Sequence, residues 1–324
     1  MRNAATLLAA AFSLALLGHV AEAQSAYPNH TVRIIVPTSP GAITDVLARA
    51  IGQPLSDGWG QPVIIDDRAG GDEMIGDEIV AKAVPDGYTL GVVSNGGITA
   101  TPQLHRDVHY DPQRDFTPIL MLGEVTPVMV VPGSSPVHSV QELIALAKSK
   151  PGELNYGSFG TGSYAHVAME DFKQRTGVQM THIPYHGASP AYTALIRGDV
   201  SVLISNLASA TAQVDSGNVR IIAAAGPRRS KARPDLPTVA ESGVPGFSTG
   251  AWWGIIGPAG LSDAIVDKIR ADVLRVLDTP DMQKFYTANT LERNDMTRDQ
   301  FVQYIKDDTQ NWARQIKAAG IQPE

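Results

Sequence analysis

Residues 32–51, VRIIVPTSPGAITDVLARAI, place an apolar run ending at Pro37 before a loop of Thr38, Ser39, Pro40, Gly41 and Ala42. A segment with apolar residues at Ile43, Val46, Leu47 and Ala50 follows. Such a run, followed at once by helical spacing, reads as strand, loop, helix. In an α/β sheet the loop lies at the carboxyl end of the strand and exposes the unpaired N–H groups of the next helix, which suits it to a small anionic or polar group. One unit alone is compatible with a plain βα turn. The chain repeats the unit with small and hydroxyl residues at each turn, and the repetition is what points to a binding crevice.

The repeats run as follows. Residues 63–66 read as a strand, 67–74 as its loop and 75–83 as a helix, with a Gly-rich turn at 57–60 before them. Pro85-Asp86-Gly87 signals a turn, 88–93 a third strand, and Ser94-Asn95-Gly96-Gly97 its loop. The polar, Pro-containing stretch 107–118 is expected as surface loop. PVMVVP at 127–132 reads as a buried strand near a domain crossing, followed by a helix over 139–149 and a strand over 154–156. Then comes the loop richest in glycine and hydroxyls, Gly157-Ser158-Phe159-Gly160-Thr161-Gly162-Ser163, and a helix carrying Ala165, His166, Met169 and Phe172. A strand over 180–183 ends at Pro184-Tyr185-His186-Gly187, and a helix ends at Gly198. The next strand, 200–204, stops at Ser205-Asn206. After an apolar run at 219–225 and a strand at 252–256, the segments 262–277, 281–288 and 297–319 read as helices, the last with Thr297 and Asp299 as its cap region. Alternation of this kind predicts an α/β fold with mostly parallel sheets flanked by helices.

A chain of 324 residues is long enough for two domains, each with its own core. Its net charge of −7 disfavours nucleic acid or an anionic membrane surface as partner. Arg2, an apolar run over 5–17 and Ala21-Glu22-Ala23 match a secretory signal peptide, so the mature chain is expected to start near Gln24. The run is shorter than the ~20 residues a spanning helix needs. With no cysteine there is neither a disulfide framework nor a lipid-attachment thiol. These features predict a free protein of the periplasm.

Catalysis finds little support. GTGSYA from Gly160 lacks the third glycine and the distant acid of a dinucleotide fingerprint, and no G-x-S-x-G elbow is present. His105 and His109 stand four apart, but Tyr110-Asp111-Pro112 does not continue a helix and no third metal ligand is apparent. The expectation is no enzyme, no metal and no cofactor. Arg68 is expected to pair with Asp66 or Asp67, and the Trp252-Trp253 pair is expected to serve packing.

Several segments together carry a resemblance: YPNHTVRIIVPTSPGAITDVLAR, PDGYTL, YDPQRDF, KPGELNYGSFGTGSYAH, HIPYHGASPA, LPTVAESGVPGF and the closing AAGIQPE. In this order and spacing the chain resembles the Bug-type solute-binding receptors of tripartite tricarboxylate transporters. The resemblance implies a two-lobe periplasmic binding protein of the Venus-flytrap kind, type II, acting as a monomer. It would capture a small organic acid and hand it to membrane permease subunits or, alternatively, to a sensor protein. It also implies a signal peptide at 1–23, one lobe of 24–125 plus 226–324, another of 126–225, and hinges at 123–126 and 223–227. Transferred to this sequence, the ligand residues would be Gly41, Ala42, Thr44, Ser94, Asn95 and Gly96 in the first lobe. The second would contribute Ser158, Gly160, Thr161, Gly162, Ser163, His166, Tyr185, His186 and Asn206.

The departures bear on the ligand. Relatives commonly have glycine at Ala42, and their NRPGAGGNIG is DRAGGDEMIG here, which puts Asp72 and Glu73 where glycines are usual. A lysine is frequent at His186, a serine at Tyr164 and an aspartate at Ser205. Acids at 72 and 73 would repel an anion, so either they face solvent or the ligand is neutral, zwitterionic or cationic at one end. Tyr164, Tyr185 and Trp252 are candidates for an apolar wall.

Overall fold

Short strands rich in Val and Ile alternate with amphipathic helices, and the computed structural model describes them over residues 27–160, 163–185, 187–289 and 291–323. The expected leader at 1–23, and Thr161, Gly162 and His186 of the expected site, lie outside the described residues. The strands are β1 (Val32–Val36), β2 (Val63–Asp67), β3 (Thr89–Ser94), β4 (Phe116–Glu124), β5 (Pro127–Pro132), β6 (Leu154–Ser158), β7 (Met180–Pro184), β8 (Val202–Asn206), β9 (Val219–Ala224) and β10 (Trp252–Pro258). The helices are α1 (Ile43–Trp59), α2 (Met74–Ala81), α3 (Thr101–Leu104), α4 (Val140–Ser149), α5 (Tyr164–Thr176), α6 (Ala188–Arg197), α7 (Leu207–Val214), α8 (Asp263–Leu277), α9 (Pro280–Ala288) and α10 (Arg298–Ala318). A π-helical turn, Gly96–Ala100, leads into α3. Helix starts follow local chemistry: Ser139, Ser262, Thr279 and Thr297 each cap a helix, Thr297 with Gln300 as a reciprocal pair.

Two five-stranded sheets result, ordered β2-β1-β3-β10-β4 and β7-β6-β8-β5-β9. In each, four strands point the same way, while the fourth in order, β10 or β5, is reversed and pairs antiparallel on both sides. Helices cover both faces of each sheet. Leu47, Ile51, Val266, Ile269 and Met282 pack one side of the first sheet, and Val80, Phe301 and Ile305 the other. The second sheet lies between Leu143, Ala168 and Phe172 on one side and Ala191, Leu195 and Ala210 on the other.

The reversed strands fix how the sheets face. β4 ends at Glu124 opposite Trp252, the first residue of β10, and Trp253 pairs with Ser94, the last residue of β3. β5 starts at Pro127 opposite Asn206, the end of β8, and Val128 pairs with Ala224, the end of β9. The chain therefore passes from the carboxyl edge of one sheet directly to the carboxyl edge of the other, so the loops after β1 and β3 are turned towards those after β6, β7 and β8. At the crossing the Val125 amide donates to Ala251 O at 2.9 Å, Ala225 to Pro127 O at 2.7 Å and Thr249 to Ala225 O at 2.8 Å. Asn311 and Gln315 of α10 both donate to Ser248 O at 2.7 Å.

Several expectations are corrected. The turn at 57–60 is the end of α1, which continues through Pro54 and stops at Gly60 in the left-handed region (φ 62°). Residues 116–118 belong to β4, where Pro118 is tolerated because β4 is an edge strand. Ser205 and Asn206 complete β8 instead of following it. Trp252 and Trp253 do serve packing as expected, and both are buried, on opposite faces of the first sheet, since both faces are covered. Val239, Val244 and Phe247 pack into the second core beside Tyr156 and Phe172, past the expected return at 223–227.

Gly254 shows how tightly β10 is seated: a Cβ there would lie 2.5 Å from Phe301 Cζ and 3.2 Å from Leu120 O. Gly254→Ala is expected to destabilise the fold by about 1–3 kcal/mol through overpacking, read as a lowered Tm. An unchanged Tm would show that Phe301 can move aside freely.

Candidate functional site

The first loop presents the start of α1. Ala42 holds the extended N-cap conformation (φ −68°, ψ 157°) but has no side chain to accept from the first turn. Ordinary helix ends leave such N–H groups to a capping side chain, water or a ligand. The flanking groups are already engaged: Gly41 N donates to Asp45 Oδ2 at 2.8 Å, and Thr44 Oγ1 accepts from Trp253 Nε1 at 3.1 Å. Thr44, expected as a ligand residue, is thus a buried brace between α1 and β10. The buried Thr38 Oγ1 makes no hydrogen bond among the described residues.

The third loop is held from within. Ser94 Oγ donates to the Glu73 carboxylate at 2.8 Å, Gly97 N to Glu73 Oε2 at 3.2 Å, and Gly96 N to Ser94 Oγ at 3.0 Å. Asn95 is buried and joins the loop to β10, donating to Gly250 O at 3.0 Å and accepting from Trp252 N at 3.3 Å. Of the two acids that stand where glycines are usual, Asp72 is exposed and meets His105 Nε2 at 2.8 Å, whereas Glu73 turns inward. Burial holds the Glu73 carboxyl above the usual range despite these donors. One turn on, Asp77 is fully buried with neither oxygen hydrogen-bonded, and burial followed by the charge of Glu73 pushes it up strongly. The acids four apart at 73 and 77 were visible in the sequence as one helical face but carried no sign of facing inward.

In the second lobe Ser158 is buried, with Oγ bonded to Gly160 O at 3.0 Å and lying 2.6 Å from His182 Nε2. Ser163 caps α5 through His166 N, and Asn206 caps α7 by accepting from Ser209 N at 2.8 Å. Both expected ligand side chains are therefore engaged in helix starts. α6, after Tyr185 and Gly187, begins without a side-chain cap. The rings of His166 and His182 stack 4.0 Å apart, with Tyr156 stacked on His182 at 4.9 Å. Tyr156 in turn donates to Glu170, which also takes Lys173 at 2.7 Å. His182 was missed because it sits mid-strand; its register opposite Tyr156 is what brings it to the loop.

The two lobes meet where the segments after these loops begin. Ala100 and Leu104 pack with Tyr164 and Val167 of α5 and with Trp312 and Ile316 of α10. Tyr164 is thus part of an apolar contact between lobes. Arg68 pairs with Asp66 at 2.9 Å. His105 and His109 go to different carboxylates, and among the described residues no group of three or more potential ligands is placed to hold a metal.

Two lobes with facing loops describe a binding protein, and sequence comparison settles which. A model described as the tripartite tricarboxylate transporter family receptor, TctC, matches residues 47–321. The chain belongs to this receptor family. It is 34% identical to protein BugT of Bordetella pertussis over 91% of this chain and 90% of that one. Among solved structures, a TctC solute-binding protein from Polaromonas with no ligand is 25% identical, covers 90% of this chain and 99% of its own, and superposes with a TM-score of 0.83. An R. palustris protein with adipate is 33% identical over 92% and 100%, with a TM-score of 0.66. The protein is accordingly a Bug-type solute-binding receptor of periplasmic type and not an enzyme. No described helix is long and apolar enough to cross a membrane.

Burial, then the neighbouring His166 ring, pushes His182 down to about 4. Between pH 6.5 and 4 the unfolded receptor then binds more protons at this site than the folded one, so this contribution lowers stability as pH falls through that window. His182→Gln is expected to shrink the Tm loss between pH 7 and 4 relative to the wild type. Parallel Tm–pH curves would show that His182 titrates normally in the fold.

Proposed function

We propose that the receptor captures a small organic acid between its lobes and delivers it to the membrane subunits of a tripartite tricarboxylate transporter. The observation that carries this reading is the uncapped start of α1, set at the carboxyl edge that faces the second lobe. A carboxylate leaving water must regain its hydrogen bonds. Free amides at a helix N-terminus, aided by the helix dipole, offer them without a formal cation. The family and the adipate-bearing neighbour support the ligand class. The closer superposition on the ligand-free neighbour, despite its lower identity, supports an open lobe arrangement here. We assign 27–125 and 248–323 to the first lobe and 126–247 to the second, moving the expected boundary from 225 because Val239, Val244 and Phe247 pack into the second core. Closure is a shift of the open–closed equilibrium by a ligand that touches both lobes.

The test is a thermal-shift screen over mono- and dicarboxylates, aromatic acids, amino acids and nicotinate. A ligand at 100 times its Kd is expected to stabilise the receptor by about 2.7 kcal/mol, and absence of any shift across the panel overturns the reading. Ala42→Asp separates fold from function. Its side chain caps α1, so it is expected to raise stability by about 0.5–2 kcal/mol while abolishing the ligand-induced shift, because the carboxylate position is taken by the protein itself. A retained ligand shift would place the anion elsewhere.

A further inference from the structure

With a carboxylate seated at α1, the reading on which this inference rests, the first lobe still has to meet the remainder of the ligand. What it offers there is an acid. Glu73 stands between the first and third loops. Gly76, three residues on, packs so closely on the first loop that a Cβ would fall 2.6 Å from Pro37 Cα. Glu73 itself takes the Ser94 hydroxyl and the Gly97 amide, the donors that the third loop would otherwise turn towards a ligand. The residue as a whole is only partly covered.

Asp77 stands directly behind Glu73, where burial and the neighbouring acid favour its neutral form, so the charge at this edge is that of Glu73. It is fully buried, its two oxygens have no hydrogen-bond partner among the described residues, and it lies against the same glycine: a Cβ on Gly97 would meet Asp77 Oδ2 at 2.0 Å and Glu73 Oε2 at 3.0 Å. No described lysine, arginine or histidine forms an ion pair with either acid. The nearby cations are committed elsewhere, Arg68 to Asp66, Arg49 to Asp45 and Asp67, Lys82 to Glu78, and His105 to Asp72. A second ligand carboxylate arriving at the third loop would find its donors occupied and a like charge in their place. An ammonium or other N–H donor would find acceptors that lack a positive partner.

We propose that Glu73, set at the end of β3 without a cationic partner, makes the first-lobe half of the crevice a receptor for a cationic or N–H-bearing group, so that the ligand is an amino-carboxylate and not a dicarboxylate.

Matched probes of equal chain length test this: succinate against 4-aminobutyrate, glutarate against 5-aminopentanoate, and adipate against 6-aminohexanoate. Each is titrated by calorimetry and thermal shift into the wild type, Glu73→Gln and Glu73→Gly. Gln retains an acceptor for Ser94 and Gly97. Gly suits the left-handed backbone that Glu73 adopts (φ 76°), so at least one variant folds. The wild type is expected to favour the amino acid of at least one pair by at least about tenfold, and both folded variants are expected to lose that preference and gain affinity for the diacid. A wild type that binds a diacid as well as its amino partner, unchanged by either variant, overturns the inference and leaves the carboxylate receptor standing. A preference for the amino acid that survives both variants also overturns the role of Glu73. If no probe of any pair binds any of the three proteins while organic acids of other shapes shift the Tm, the inference fails alone; if nothing shifts it, the receptor reading fails as well.

Discussion

One reversed strand in each sheet organises the molecule. Had β5 and β10 run with their neighbours, each crossing would have had to travel the length of a sheet before pairing again, and the two sets of loops would face away from each other. Because both strands are antiparallel, β4 passes to β5 through residues 125 and 126 alone, carboxyl edge to carboxyl edge, and the return after β9, by way of 225–251, enters β10 at the same edge. The crevice follows from the hydrogen-bond direction of two strands. Main-chain bonds, Val125 to Ala251 and Ala225 to Pro127, tie the two crossings to one another.

Inside that frame most polar groups at the loops already have partners within the protein. Ser158, Ser163, Asn95 and Asn206 all look outward-facing in a sequence, yet each closes a turn or caps a helix. Such saturation keeps the loops rigid before a ligand arrives, which lowers the ordering cost of binding. It leaves the α1 and α6 starts without a side-chain cap, and with Glu73 these are the groups on which the proposed recognition would rest.

The fold was legible because its signals are local. Apolar runs of five or six residues, glycine turns and capping residues such as Ser139 and Thr297 fix strands and helices without reference to distant contacts. What was not legible depended on long-range packing. Nothing in LPTVAESGVPGF says that Val239, Val244 and Phe247 belong to the second core, since a turn-rich stretch has no period to read. The burial of both Trp252 and Trp253 needed knowledge that helices cover each face of the first sheet. The candidate site residues were legible as loop positions and not as contacts: that Ser163 and Asn206 meet backbone amides at helix starts depends on angles that composition does not encode.

Glu73 illustrates the difference most sharply. In sequence it is one of two acids in a glycine-rich loop, and solvent is the ordinary destination of both. Asp72 goes there. Glu73 goes inward because consecutive left-handed residues, φ 49° and 76°, swing the chain at the start of α2 so that its side chain lies over the end of β3. There the Ser94 hydroxyl and the Gly97 amide stabilise its carboxylate in part, though not enough to offset burial, and its charge raises Asp77 behind it. A position where glycine would sit without strain is instead held by a charged side chain at the edge of the crevice. The structural consequence is electrostatic: the negative end of the first lobe lies at β3 and its positive helix end lies at β1, one strand apart in the same sheet. In the proposed reading a small ligand lying across that edge would meet opposite potentials at its two ends, and the first lobe would orient it before the second closed on it.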